Sequence, residues 1–418
     1  MKFKSLISQI RSLYSLSYRR FSHSRRLVLG IESSCDDTGA AVVDENGVIL
    51  GEGYESQMKI HLDNGGVIPH IAVHLHQENI EKVVTSALKN SNVDLLNVSA
   101  IAVTTKPGLR GSLAVGVEYA MKIAQLSKKP LIPIHHMEAH ALTARLTNDV
   151  PFPFMCLLAS GGHCQVALVR GIDDFLLLGT SRHNTPGELL DKIARRLKLQ
   201  NLPECYEMSG GKAIEFMSKG GDPLSVPFPL AMTKYRDCDF SFSGFGSFAT
   251  HYIEREEEKN DVPADGVIPS VRDFCASLLH GYALHMIHRI HRAFLYCEGE
   301  KLMNCDQRSL VFSGGVACNS YIRNAIENYC VHQMKCKFFA PPPKLCTDNG
   351  VMIAWNGIEK LKANIGILPY SENLKPIPDC PLGVDISAAV KEASIKLKIP
   401  KLDLESGEEK GNLKIAVE

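Results

Sequence analysis

From Leu27 the chain alternates short apolar blocks with small polar turns, the pattern of strands joined tightly. LVLGIES is followed by the turn SCDDTG, then by AAVVD, the hairpin turn ENG and the alternating VILGEGYE. The same design returns beyond residue 150 as PFMCLLAS, GGH, CQVALVR, GIDD and FLLLGTS. Two meanders of one design point to an internal duplication; two ordinary meanders are the plainer alternative. A duplicated lobe would bring two turn-bearing sheets face to face, which is the layout of a nucleotide cleft.

The stretches between and after the meanders read mostly as helix. In HLHQENIEKVVTSALKN, Ile80, Val83, Val84, Ala87 and Leu88 follow helical spacing. DLLNVSAIAVTT ends as a strand, KPGLRGS is a turn, and LAVGVEYAMKIAQLSKK is a second helix whose N-terminus could hold an anion. PLIPIHHMEAHALTARL reads as strand then helix. SVRDFCASLLHGYALHMIHRIHRAFLYC reads as a long helix, apolar on one face. SLVFSGGVACN reads as strand, glycine turn and helix start. Beyond Lys375 large apolar residues are few, so the tail reads as an extension with little core of its own. The expected divisions are a leader at 1–26, a first lobe at 27–147, a second lobe with the nucleotide site at 148–374, and an extension at 375–418.

Candidate chemistry concentrates in a few turns. His136 and His140 stand four apart in HHMEAH, on one helix face, where two imidazoles can share a metal ion. Glu138 lies about 200° around the helix from His136. It therefore points away and cannot serve as the base of a zincin-type peptidase. A lone HxxxH pair is more often structural than metal-binding, and a metal site needs a third ligand. Asp348, in LCTDNG, is the candidate. Ser160-Gly161-Gly162-His163 forms the first turn of the second meander, and paired glycines let backbone amides approach a phosphate. The tripeptide recurs at Ser209-Gly210-Gly211 and at Ser313-Gly314-Gly315. Asn319 is placed either to cap a helix or to bind an adenosine, and capping is the better prior. Asp36 and Asp37 occupy the turn after the first strand. Asp191 lies in the helix GELLDKIARR. The small basic cluster Arg195, Arg196 and Lys198 beside it reads as a solvated helix face.

Composition narrows the picture. The 418 residues suffice for two to three domains or one large two-lobed one. With 45% hydrophobic and 22% charged residues the chain can bury a sizeable core, which excludes a disordered or fibrous chain. No apolar run reaches the ~18 residues of a membrane helix. Lys+Arg and Asp+Glu are both 46, so no global charge announces a nucleic-acid partner. The balance is uneven, however. Seven basic residues precede the first acidic one, Glu32, and the remainder holds 39 basic against 46 acidic residues. The basic, serine-rich, acid-free opening has the composition of a mitochondrial transit peptide. Thirteen cysteines without a CxxC pair argue against a zinc ribbon or thioredoxin-like motif and for reduced, mostly buried thiols.

Ten motifs occur together in one order: GIESSCDDTGAAVVD, GGVIPHIAVHLHQENI, PGLRGSLAVG, HHMEAH, LLASGGHCQV, GELLDKIARRL, SGGKAIE, CDFSFSG, VFSGGVACNSYIR and PPPKLCTDNGVMIAWNG. Spanning about residues 27–367, they resemble the universal tRNA N6-adenosine threonylcarbamoyltransferases, mitochondrial branch, once described as O-sialoglycoprotein endopeptidase-like. The resemblance implies a two-lobed α/β fold of the actin/Hsp70/sugar-kinase type with duplicated ribonuclease-H-like domains. It implies transfer of a threonylcarbamoyl group from threonylcarbamoyl-adenylate to the N6 amine of adenosine 37, in tRNAs reading codons that begin with A. By motif, His136, His140 and Asp348 correspond to ligands of one divalent cation, with zinc, iron and manganese all compatible. Ser160, Gly161, Gly162 and His163 correspond to the phosphate and acyl cradle. Asp191, Gly211, Glu215 and Asn319 correspond to adenosine and ribose contacts beside the Gly314-Gly315 turn, and Asp36 and Asp37 to an acidic pair at the reaction centre. A homodimer in the mitochondrial matrix is also implied. The sequence departs from the common pattern at Asp37, where Glu is usual, at Lys106, and at Phe245-Gly246-Ser247, where many members have Leu-Lys-Thr. The competing readings are an ATPase or kinase-like protein of the same fold and a non-catalytic nucleotide-binding scaffold.

Overall fold

A computed structural model of the chain describes residues 25–402. The expected leader lies, but for its last two residues, outside the described residues. The first meander forms β1 (Leu27–Glu32), β2 (Asp37–Asp44) and β3 (Ile49–Ser56), with β4 (Ala100–Lys106) and β5 (Leu131–His135) added beyond β1 in the order β3-β2-β1-β4-β5. The second meander forms β6 (Phe154–Ala159), β7 (Cys164–Val169) and β8 (Phe175–Thr180). With β9 (Ser309–Ser313) and β10 (Lys337–Phe339) it repeats that order as β8-β7-β6-β9-β10. In both sheets the meander is antiparallel and the last two strands are parallel to the first. Even the irregularity repeats: a register shift falls at Val42/Val43 in one hairpin and at Val166/Ala167 in the other. The duplication read from the two meanders is thus present strand by strand, as two ribonuclease-H-like sheets in a two-lobed fold.

The central strands read as unbroken apolar runs because both their faces are covered. On the first sheet, the helices Pro69–Ser91 and Arg110–Ser127 bury Ile80, Val83, Val117 and Ile123 against Leu29, Ile31, Ile101 and Val103. The opposite face is covered by Gly350–Ala363, a helix from late in the chain, whose Val351, Ala354 and Ile358 pack on Val28, Ala41 and Ala102. Helix and sheet approach here backbone to backbone. A Cβ at Gly30 would lie 2.2 Å from the Ala354 nitrogen, and one at Gly350 would lie 2.4 Å from the Ala40 backbone. This seat sets the position of the turn ahead of the helix, which carries Asp348.

One expectation is corrected. The long helix, Val271–Gly299, is not apolar on one face; it is buried on nearly every side, Arg289 and Arg292 included. The buried guanidinium groups are tolerated because they donate to carbonyls: Arg289 to Met232 at 2.6 Å and Asp237 at 2.9 Å, and Arg292 to Asp237 at 2.7 Å. The tail packs onto both lobes. Ile377 N donates to Thr105 O at 2.8 Å, and Leu382 is fully buried. β11 (Val384–Asp385) extends the second sheet beside β8, and Val390 enters the second lobe's core. A segment with few large apolar residues contributes through backbone pairing and two well-placed side chains. Among the described residues no helix is long and apolar enough to cross a membrane, and all thirteen cysteines are free.

Candidate functional site

β5 ends at His135, and the chain turns at once into the helix His136–Leu142, every residue of which is buried. The His135 ring accepts from Met137 N at 3.2 Å and so caps that helix. His136 and His140 meet edge to face, their ring centroids 4.7 Å apart. The turn before Gly350–Ala363, held by Asn349 accepting from Met352 N at 2.9 Å, brings Asp348 to them. Asp348 Oδ1 lies 3.0 Å from His140 Nε2 and 3.4 Å from His136 Nε2. One donor atom from each of the three residues falls within 4.8 Å of the others. Two imidazoles and a carboxylate converging in this way form a possible metal-binding group, and its chemistry fits a divalent cation. Burial works against charge on His136, but Asp348 and Glu32 on its two sides outweigh burial and hold the ring well above its ordinary pKa. Asp348 is likewise held well below the usual carboxylate range: His136 and His140 overcome the effect of burial. Glu138 faces elsewhere, 3.1 Å from Lys360 Nζ, as its place on the helix requires.

The acidic pair stands nearby, at the start of β2. Burial, then the Asp348 charge, raises Asp36. Burial, then the charges of Asp36 and Asp348, pushes Asp37 up to about 7, against hydrogen bonds from Tyr54 and Ser56. Asp37 Oδ1 is buried with no hydrogen-bond partner.

The second lobe offers a ring of glycine turns. At Ser160–His163 the Ser160 hydroxyl accepts from the amides of Gly162 at 3.3 Å and His163 at 3.1 Å. Nothing lies within 4 Å of where a Cβ at Gly161 or Gly162 would stand. Gly187, at the start of the helix Pro186–Arg196, donates to Ser160 O at 3.2 Å. From that helix Asp191 accepts from Gly211 N at 3.2 Å. Burial raises its pKa, opposed first by the amides of Gly211 and Gly210. The helix Gly210–Ser218 presents Glu215, which accepts from Ser320 N at 2.8 Å. Asn319 does cap the helix Ser320–Asn328, its Oδ1 accepting from Ile322 N at 3.0 Å, while its Nδ2 is buried without a partner. Gly314 adopts φ +94° against Ala159 and closes the ring, and Gly315 borders open space. His163 lies within electrostatic reach of the first group: burial, then the charges of His136 and His140, lowers it to about 4.

The basic cluster is exposed at Arg195 and half-buried at Arg196 and Lys198, and each member is bonded. Arg196 and Lys198 both bind Glu257, at 2.7 Å, and Arg195 Nη1 reaches Gly65 O in the first lobe at 2.5 Å. Sequence reasoning missed Glu32. This wholly buried carboxylate at the end of β1 lies 3.2 Å from His136 Nδ1. The signal that could have found it was an acidic residue closing an apolar strand.

Comparison with known proteins agrees with this geometry. Residues 48–355 match the family model described as tRNA N6-adenosine threonylcarbamoyltransferase. The mitochondrial tRNA N6-adenosine threonylcarbamoyltransferase of Mus musculus is 50% identical over 392 residues, covering 92% of this chain and 94% of that protein. Its counterpart in Homo sapiens is 50% identical over 380 residues, covering 91% of each. The tRNA N6-adenosine threonylcarbamoyltransferase of Rickettsia bellii is 38% identical over 333 residues, covering 80% of this chain and 93% of that protein. The chain therefore belongs to the tRNA N6-adenosine threonylcarbamoyltransferase family.

Proposed function

We propose that the chain transfers a threonylcarbamoyl group from threonylcarbamoyl-adenylate to N6 of adenosine 37 in mitochondrial tRNAs that read codons beginning with A. The observation that carries this reading is the His136–His140–Asp348 group together with the glycine-turn ring, whose His163 lies within electrostatic reach of both imidazoles. The mitochondrial location follows from the names of the mouse and human relatives and from the composition of the leader.

The donor is a mixed carbamic–phosphoric anhydride, already activated, so no ATP need be cleaved. The acceptor is a weak nucleophile, because the N6 lone pair is delocalised into the purine. His136, His140 and Asp348 would hold one divalent cation, which when bound supplies a Lewis acid for oxygen atoms of the donor. The remaining work falls to the chain itself. Gly161, Gly162 and Gly315 leave open space for the phosphate and acyl groups. An anion entering the turn would replace the Ser160 hydroxyl at the Gly162 and His163 amides. The free Asn319 Nδ2 would donate to the adenosine, with Asp191 and Glu215 toward the ribose. As N6 bonds to the carbamoyl carbon, the carbon–oxygen bond to phosphate breaks and AMP leaves. The proton lost from N6 passes to Asp37, whose unpartnered Oδ1 and pKa of about 7 suit a base working near neutrality. Glu138, tied to Lys360, leaves a peptidase reading without its base.

The test is reconstitution with unmodified mitochondrial tRNA and enzymatically made threonylcarbamoyl-adenylate, followed by nucleoside mass spectrometry. N6-threonylcarbamoyladenosine is expected with the wild type and not with the Asp36→Asn/Asp37→Asn double variant. An equal rate in that variant would remove the acidic pair from the chemistry. No product from the wild type, with active donor and folded tRNA, would favour the scaffold reading.

A further inference from the structure

Glu32 has no contact with solvent, and its carboxylate is anchored by the turn that follows β1 and by β4. Oε1 accepts from Ser34 N at 2.5 Å, and Oε2 accepts from the Thr104 hydroxyl of β4 at 2.5 Å. The same Oε2 lies 3.2 Å from His136 Nδ1, and the Ser34 hydroxyl lies 3.1 Å from that nitrogen. A carboxylate oxygen offers only lone pairs. An unprotonated Nδ1 at this distance would set lone pair against lone pair in a buried site, so Nδ1 carries a proton and donates it. The opposite nitrogen, Nε2, is the one that faces Asp348 at 3.4 Å.

We propose that Glu32, braced by Ser34 and Thr104, is a positioning residue that holds the His136 ring in one orientation with Nδ1 protonated, so that only Nε2 is presented to a cation. This rests on the metal reading given above. The brace sits at the centre of the first sheet, where β1 and β4 pair in register through Ile31 and Val103, one residue before Glu32 and Thr104. The side chain is thus aimed from strands paired on the central part of the sheet. Asp348 comes from a turn and His140 lacks a partner for its Nδ1, so His136 is the ligand whose geometry the fold fixes most completely. Partners of this kind, which touch a ligand rather than the ion, typically govern metal affinity by about 10–100-fold.

The test strips the purified protein with a chelator and titrates it with zinc against a chromophoric competitor. Cobalt(II) absorption spectra and the 15N resonance of His136 Nδ1–H in the zinc-loaded protein are recorded alongside. Glu32→Gln keeps the shape but places an amide donor against Ser34 N–H or the Thr104 hydroxyl. It is expected to weaken zinc binding about 10–100-fold, to shift the cobalt bands and to move the His136 resonance. Zinc affinity within twofold of wild type, with unchanged spectra, overturns the proposal. Should Glu32→Gln fail to fold, Thr104→Val retains the carboxylate and removes one anchor. A severalfold loss with altered cobalt bands supports the proposal, and wild-type behaviour overturns it. His136→Ala/His140→Ala separates the two readings. If the wild type binds zinc no better than that variant, the metal reading fails and takes this one with it. If the wild type binds well and Glu32→Gln equals it, only the role of Glu32 fails.

Discussion

Replacing Gly350 by alanine probes how the fold places Asp348. The added methyl would meet three backbone atoms of Ala40 at 2.4 to 2.6 Å, where carbon contacts settle at about 3.5–4.0 Å. Backbone cannot rotate aside as a side chain can, so the helix start must move by about 1 Å. Overpacking of this kind costs about 1–3 kcal/mol. For lobes of this size each kcal/mol lowers Tm by about 2–4 °C, so a fall of about 2–12 °C is expected. The same shift displaces Asp348, two residues earlier, and a 1 Å misplacement can cost about 100-fold in rate. Calorimetry and the tRNA transfer assay measure the two effects separately. Gly244→Ala, where nothing lies within 4 Å of the new methyl, is the control and should match wild type in both. Wild-type Tm and rate in Gly350→Ala would refute the argument that backbone contact seats this helix.

Three further outcomes follow from the same geometry. If Asp37 accepts the proton, transfer requires its ionised form, so kcat/KM should rise with pH through about 7. Asp37→Asn should flatten that rise, and an unchanged profile would exclude the assignment. Because Asp348 and Glu32 outweigh burial and hold His136 protonated, a cation must displace a proton; affinity should fall as pH drops, with about one proton released per ion near pH 7. Calorimetry in buffers of different ionisation enthalpy counts that proton, and a count of zero would contradict the reading. Asn319→Asp keeps the oxygen that caps Ser320–Asn328 and removes the free Nδ2. Affinity for the adenylate should fall with Tm unchanged, whereas a fall in Tm alone would make Asn319 a cap and nothing more.

Much of this was legible in the sequence, and the reasons are local. The paired meanders could be read because strands covered on both faces become apolar runs bounded by small polar turns. His136 and His140 could be paired because helical spacing is fixed, and Glu138 dismissed for the same reason. Asp348 could be named only as a candidate, since it lies 208 residues from His140 and only folding brings them together. Burial of the Val271–Gly299 helix on nearly every side was hidden because Arg289 and Arg292 look solvated, yet they satisfy carbonyls of the 232–237 segment. How the tail is attached could not be read, because β11 joins the sheet through backbone hydrogen bonds, which composition does not reveal. Glu32 was passed over because its role depends on a ring contributed from residue 136.

The central claim is that the His136–His140–Asp348 group and the glycine-turn ring act together in transfer to tRNA. The most direct measurement strips the protein of metal, reloads it in steps, and follows N6-threonylcarbamoyladenosine formed per minute against metal bound per chain. The account predicts a rate that rises in proportion to occupancy up to one ion, and no product at any loading from His136→Ala/His140→Ala. A stripped protein as active as the reloaded one would contradict it.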